Sequence, residues 1–111
     1  MTTIDQVKAF HIKFNVGDYI RREQAVRFLL SELAELADAE TDFARLDALC
    51  DLQYVLDGAF LAYGWASIKD AAFAEVHKSN MSKSLGPKGV GGKVQKGVDF
   101  VPPNLEQFLP K

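Results

Sequence analysis

All four prolines of this 111-residue chain lie at Pro87 or beyond, and five of its eight glycines fall between Gly86 and Gly97. Proline removes a backbone donor and clashes inside a helix, and glycine weakens one, so helices belong to about the first eighty residues. Thr2 or Thr3 is placed to cap a first helix reaching about Phe14, with Ile4, Val7, Phe10 or His11, and Phe14 on one side. Asn15-Val16-Gly17-Asp18 reads as its stop and turn. A second helix runs from about Arg21 to Asp38, with Val26, Leu29, Leu30, Leu33, Ala34 and Ala37 at helical spacing. Asp42 is placed to cap a third, from about Phe43 to Tyr63, which Gly64 ends; Ser67 is placed to cap a fourth, reaching about His77 or Lys78. Beyond Ser79 the chain reads as an extended loop, with a short turn of helix near 104–108 and short strand pairing around 93–100 left open. The expectation is an all-α fold: a four-helix core over residues 1–81, with a Gly/Pro/Lys-rich C-terminal arm over 82–111 of the same domain.

Length and composition suit one soluble domain, and a domain this small leaves apolar surface for a partner subunit to cover. No apolar run approaches the roughly 20 residues of a membrane span, and no apolar stretch of signal-peptide type follows Met1. With a single cysteine, Cys50, no internal disulfide forms, and the cytoplasm is the expected compartment. Charge is uneven: residues 1–77 carry seven Lys/Arg against thirteen Asp/Glu, whereas 78–111 carry six Lys against two acids. That asymmetry is either a solvated surface feature or two halves of one site, metal on the body and phosphate against the tail.

Four carboxylates look out of place on a helical wheel. In the second helix Gln24, Arg27, Ser31 and Asp38 form the polar side, but Glu32 sits among Ala25, Phe28, Leu29 and Leu36, with Glu35 at the border. In the third, Asp47 and Asp51 share a stripe with Ala44, Ala48, Gly58 and Ala62, while Arg45 points elsewhere. If these faces pack together, four acids converge without a basic partner, and like charges so placed call for a divalent cation. Oxygen ligands without a suitably placed His or Cys favour Mg2+, with Mn2+ as substitute. The bland alternative is four solvated surface acids. A di-iron bundle would need Glu-x-x-His on two helices, which this chain lacks. The stretch Gly86-Pro87-Lys88-Gly89-Val90-Gly91-Gly92-Lys93 imitates a phosphate loop but has the wrong spacing and no Ser or Thr after Lys93.

Glu32-Leu33-Ala34-Glu35, Asp51-Leu52-Gln53-Tyr54-Val55, Ser79-Asn80-Met81-Ser82-Lys83 and Gly92-Lys93-Val94-Gln95-Lys96-Gly97 occur here in order. The combination resembles the all-α nucleotide pyrophosphohydrolases: MazG-like proteins, dimeric dUTPases, dCTP pyrophosphatases and phosphoribosyl-ATP pyrophosphatases. The resemblance runs over nearly the whole chain, from Val7 to Leu109. One departure is Ala48, where the family's second acidic motif carries Glu; Asp47 stands one residue earlier.

The resemblance implies a MazG-like helical core and hydrolysis of a nucleoside triphosphate to monophosphate and pyrophosphate, in a nucleotide house-cleaning role. It implies Mg2+ at Glu32, Glu35, Asp47 and Asp51, with Glu35 as the catalytic base. Asn80, Lys83, Lys93, Lys96 and Tyr54 become candidate substrate contacts. Asn80 reads equally as a helix C-cap and Tyr54 as a core residue. His11 reads as a packed or surface histidine, with a base pocket as the alternative; His77 reads as a helix-end residue, Cys50 and Trp65 as packing residues. A homodimer or homotetramer is expected, and no membrane or nucleic-acid partner. The rival expectation is a non-catalytic helical binding module whose basic arm holds nucleic acid or a protein.

Overall fold

The N-terminus folds as its first residues dictate. The Thr2 hydroxyl accepts from the Asp5 amide at 3.2 Å, and the Asp5 carboxylate accepts from the Thr2 amide at 3.2 Å. This reciprocal box satisfies two amides that helix geometry leaves orphaned and starts α1, Thr3–Phe14. Asn15, at φ 50°, ends it in the left-handed region. In this computed structural model residues 1–17 and 21–110 are described, so Asp18 of the expected turn lies outside them. Three further helices follow: α2 Arg22–Asp38, α3 Asp42–Ala62 and α4 Lys69–Met81. No strand occurs among the described residues, so the all-α expectation holds and no strand pair forms around 93–100.

The chain forms two compact units, Met1–Ser67 and Ile68–Lys111. In the first, α3 packs against both α2 and α1. Only residues 39–41 separate α2 from α3, which makes them antiparallel neighbours. Val7, Ala25, Ala48 and Ala59 form the buried apolar core, and small side chains at three of these positions let the helices approach closely.

Two local expectations need correction. Thr41, not Asp42, caps α3: its hydroxyl accepts from the Ala44 amide at 3.1 Å, while Asp42 pairs with Arg45 at 3.0 Å. The face that α2 turns inward is the one around Glu32: Ala25 is buried and Leu29, Glu32 and Leu36 are half-buried, whereas Val26, Leu30 and Leu33 are 45–61 % exposed. Helix α2 carries apolar residues on more than one side, and the small Ala25 is what fits against α3. Cys50 is exposed rather than packed.

In the second unit α4 begins without a side-chain cap, Ile68 rather than Ser67 standing at the N-cap. It also runs past His77 and Lys78 to Met81, because the Ser82 hydroxyl donates to the Ser79 carbonyl at 2.6 Å and helps to close the last turn. The same hydroxyl accepts from the Val101 amide at 2.8 Å, and the Asn104 amide donates to Glu75 Oε1 at 3.0 Å. The C-terminal segment is thus hydrogen-bonded back to α4. Within it, the Ser84 amide donates to the Gln95 carbonyl at 2.8 Å and the Gly89 amide to the Lys93 carbonyl at 2.7 Å. The turn between needs Gly91 and Gly92 at φ 69° and 77°, values that side chains resist. A 3-10 turn at Glu106–Phe108 falls inside the helical turn expected near 104–108.

Candidate functional site

Helical spacing places Glu32 and Glu35 on one side of α2, one turn apart, and the antiparallel run of α3 brings Asp51 opposite them. One carboxylate oxygen from each of Glu32, Glu35 and Asp51 lies within 4.8 Å of the others. Glu32 is half-buried, Glu35 exposed and Asp51 half-buried, so the group sits at the rim of the helix pair rather than deep within it. No lysine or arginine forms an ion pair with these three among the described residues.

Glu32 bears the consequence. Burial pushes its carboxyl above the usual range, reinforced by a hydrogen bond with Glu35 and by the charges of Glu35, Asp51 and Asp47. Its Oε2 is buried without a hydrogen-bond partner. A buried acceptor left unmatched costs about 1–3 kcal/mol, so this atom suits a ligand that accepts electron density from oxygen. A hard divalent cation fits that donor set.

The carboxylates stand between two unlike openings. Toward the α2–α3 connection, Glu35, Asp38, Ala44, Asp47 and Ala48 line a broad opening of about 330 Å3. Asp47 therefore faces this opening with Glu35, one turn before Asp51, without being one of the three clustered carboxylates. In the other direction lies a cavity of about 140 Å3 lined by Phe10, His11, Ala25, Phe28, Tyr54, Val55 and Gly58. Phe28 is one turn before Glu32 on α2, and Tyr54 and Val55 are one turn after Asp51 on α3. Because the helices are antiparallel, both displacements run the same way, about 5.4 Å along the pair. No protein-family profile and no curated protein matches this chain.

The remaining candidates belong to the second unit. Asn80 lies inside α4, exposed, its carbonyl accepting from the Lys83 amide at 3.2 Å; Ser82 is the C-cap, so the capping role read for Asn80 is corrected. Lys83 is half-buried, while Lys93 and Lys96 are exposed, with Lys96 Nζ 5.1 Å from the Phe100 ring centroid. Trp65 stacks on Tyr63 at 4.9 Å in the first unit but is exposed, so the packing role read for it is only partly met.

Two features had escaped the sequence reading. Asp57 is fully buried on α3, and no motif or stripe in the sequence singled it out. Phe10 and Phe28 line the cavity, and in the sequence both look like ordinary core aromatics.

Proposed function

We propose that this protein is a Mg2+-dependent nucleoside triphosphate pyrophosphohydrolase of the MazG-like type, converting substrate and water to monophosphate and pyrophosphate. One observation carries the reading: Glu32, Glu35 and Asp51 cluster without a basic partner, around a buried Glu32 oxygen that lacks a hydrogen bond. Mg2+ held by Glu32, Glu35 and Asp51, with Asp47 alongside, would neutralise the triphosphate, favour loss of pyrophosphate and acidify an attacking water. Glu35 is the most exposed of the three and the one able to receive the proton as the water oxygen bonds to the α-phosphorus and the bond to the leaving pyrophosphate breaks. Lys83, Lys93 and Lys96 are proposed phosphate contacts, and Asn80 and Tyr54 contacts to the sugar or base, by the resemblance of their segments to the family's.

A second copy of the chain completes the proposal. Leu46, Leu49 and Leu56 share one side of α3 and are 65, 53 and 40 % exposed, and α2 adds the exposed row of Val26, Leu30 and Leu33. Apolar rows of this extent on a small domain mark association surfaces, and a homodimer or homotetramer would cover them.

The test is a screen of purified protein against common nucleoside triphosphates with Mg2+, detecting monophosphate and pyrophosphate directly. Turnover that Glu35→Gln abolishes supports the proposal. No product on any nucleotide with either Mg2+ or Mn2+, joined to salt-sensitive nucleic-acid binding, would replace it with the binding-module reading.

A further inference from the structure

The C-terminal segment returns to α4 at two places. The Ser82 hydroxyl donates its one proton to the Ser79 carbonyl at 2.6 Å, and a lone pair accepts from the Val101 amide at 2.8 Å. Glu75 Oε1 accepts from the Asn104 amide at 3.0 Å. Glu75 lies in α4 and Ser82 is its C-cap, seven residues on, so the two share a side of the helix about 10.5 Å apart. Between Val101 and Asn104 stand Pro102 and Pro103. Proline fixes φ and keeps the residue before it out of the helical region, so this link runs extended, roughly 9 Å over three steps. The two lengths match. The proline pair is a stiff spacer cut to the distance between its two points of attachment, and it runs antiparallel to α4.

Inward from that brace the segment closes on itself. The Ser84 amide donates to the Gln95 carbonyl at 2.8 Å. Gly97 passes so near that a methyl group on it would lie 3.0 Å from Ser84 Cβ, inside the about 3.5–4.0 Å at which carbon atoms pack. From Val76 to Val98 the chain carries five lysines and no acid. None of these lysines forms an ion pair among the described residues. Their mutual repulsion favours an open segment, and the brace opposes it.

We propose that Ser82 and Glu75 are positioning residues for the phosphate-binding lysines. With the Pro102-Pro103 spacer, they hold the lysine-rich segment closed against its own charge before nucleotide arrives. The assignment rests on the triphosphate reading above. Neither residue has to touch substrate, because each acts through the chain that it holds.

Two measurements on the full chain test this: tryptic cleavage after Lys88, Lys93 and Lys96 without nucleotide, and steady-state kinetics with Mg2+ and the triphosphate turned over. Glu75→Ala/Ser82→Ala loses both hydrogen bonds, so the open form and the cleavage rate should rise roughly 10- to 100-fold. Its KM should rise at least about threefold, because a smaller closed fraction weakens binding. Its kcat should stay within about twofold of wild type. Ser82→Thr keeps the hydroxyl and should match wild type in both measurements. Pro102→Gly/Pro103→Gly keeps both hydrogen-bonding side chains but softens the spacer, and should share the rise in KM. Cleavage of both double variants at the wild-type rate overturns the brace. Faster cleavage with KM unchanged, or a loss confined to kcat, overturns its part in phosphate binding and leaves triphosphate hydrolysis standing. Absence of pyrophosphate release from wild type overturns the triphosphate reading instead, and the cleavage rates still decide whether the brace exists.

Discussion

Glu32 on α2 and Asp51 on α3 face each other across the helix pair, with carboxylate oxygens within 4.8 Å and no basic side chain paired to either among the described residues. Two acids do not settle so close without either a shared proton or a cation. Each alternative has its own experimental signature.

In metal-free protein the proton prevails, and the sign of the pH dependence follows. Glu32 is held above its ordinary pKa, first by burial, then by the Glu35 hydrogen bond and the surrounding charges. The native state therefore retains a proton that the unfolded chain gives up at lower pH. Stability is undiminished below the ordinary glutamate pKa and declines as pH rises through the native one. Thermal melts in a chelator from about pH 4 to about pH 8 should show this decline in wild type and a flatter profile in Glu32→Gln. Parallel profiles would refute it.

Added Mg2+ should reverse that loss. At a hundredfold excess over its dissociation constant a native-state ligand stabilises by about 2.7 kcal/mol. A rise in melting temperature with Mg2+ at neutral pH is expected for wild type and should be largely absent in Asp51→Asn. An equal rise in both would move the ion elsewhere.

Glu35 is exposed, so its replacement should spare the fold. Glu35→Gln should lower pyrophosphate release by on the order of 10²- to 10⁴-fold, the range of general-base contributions, with an unchanged far-UV spectrum. A loss of less than about tenfold would assign the proton transfer to another group.

The start of α3 offers a test free of function. Thr41→Ala should cost about 1 kcal/mol through loss of the bond to the Ala44 amide. Asp42→Ala should change stability far less, since its pair with Arg45 is exposed on both sides. Denaturant melts of the two variants rank the caps directly, and the reverse order would restore Asp42 as the cap.

Association through α3 predicts that Leu46→Asp lowers the mass measured by light scattering to that of one chain. Leu46 is 65 % exposed, so the substitution leaves the core intact. A wild-type mass of a single chain at high concentration would dismiss this surface.

Much of this could be read before the structure. The first three helices were legible because apolar residues recur at helical spacing there and because every Pro lies at Pro87 or beyond; the end of α4 was not, since it runs past His77 and Lys78 to Met81. The acidic cluster was legible because Glu32 and Asp51 interrupt apolar or small-residue stripes, where a carboxylate needs a reason. The inward face of α2 was legible only in part: Glu32 stood out among Ala25, Leu29 and Leu36, but Val26, Leu30 and Leu33 also stand at helical spacing, and packing against α3 is what decides between the two sides. The cavity was hidden for a related reason. Phe10, Phe28 and Tyr54 are spread over three helices, and no local pattern reports the antiparallel register that gathers them.

The Ser82 hydroxyl, bonded to the end of α4 and to the Val101 amide nineteen residues on, changes what kind of object the lysine-bearing segment is. A free tail samples a volume that grows with its contour length. A loop fastened at both ends samples only what its chord allows, so its charges stay at high local concentration near that fastening. Lys83, Lys88, Lys93 and Lys96 all lie between the two anchor points. The segment is thus a tethered positive loop, and one hydroxyl sets the length of its leash.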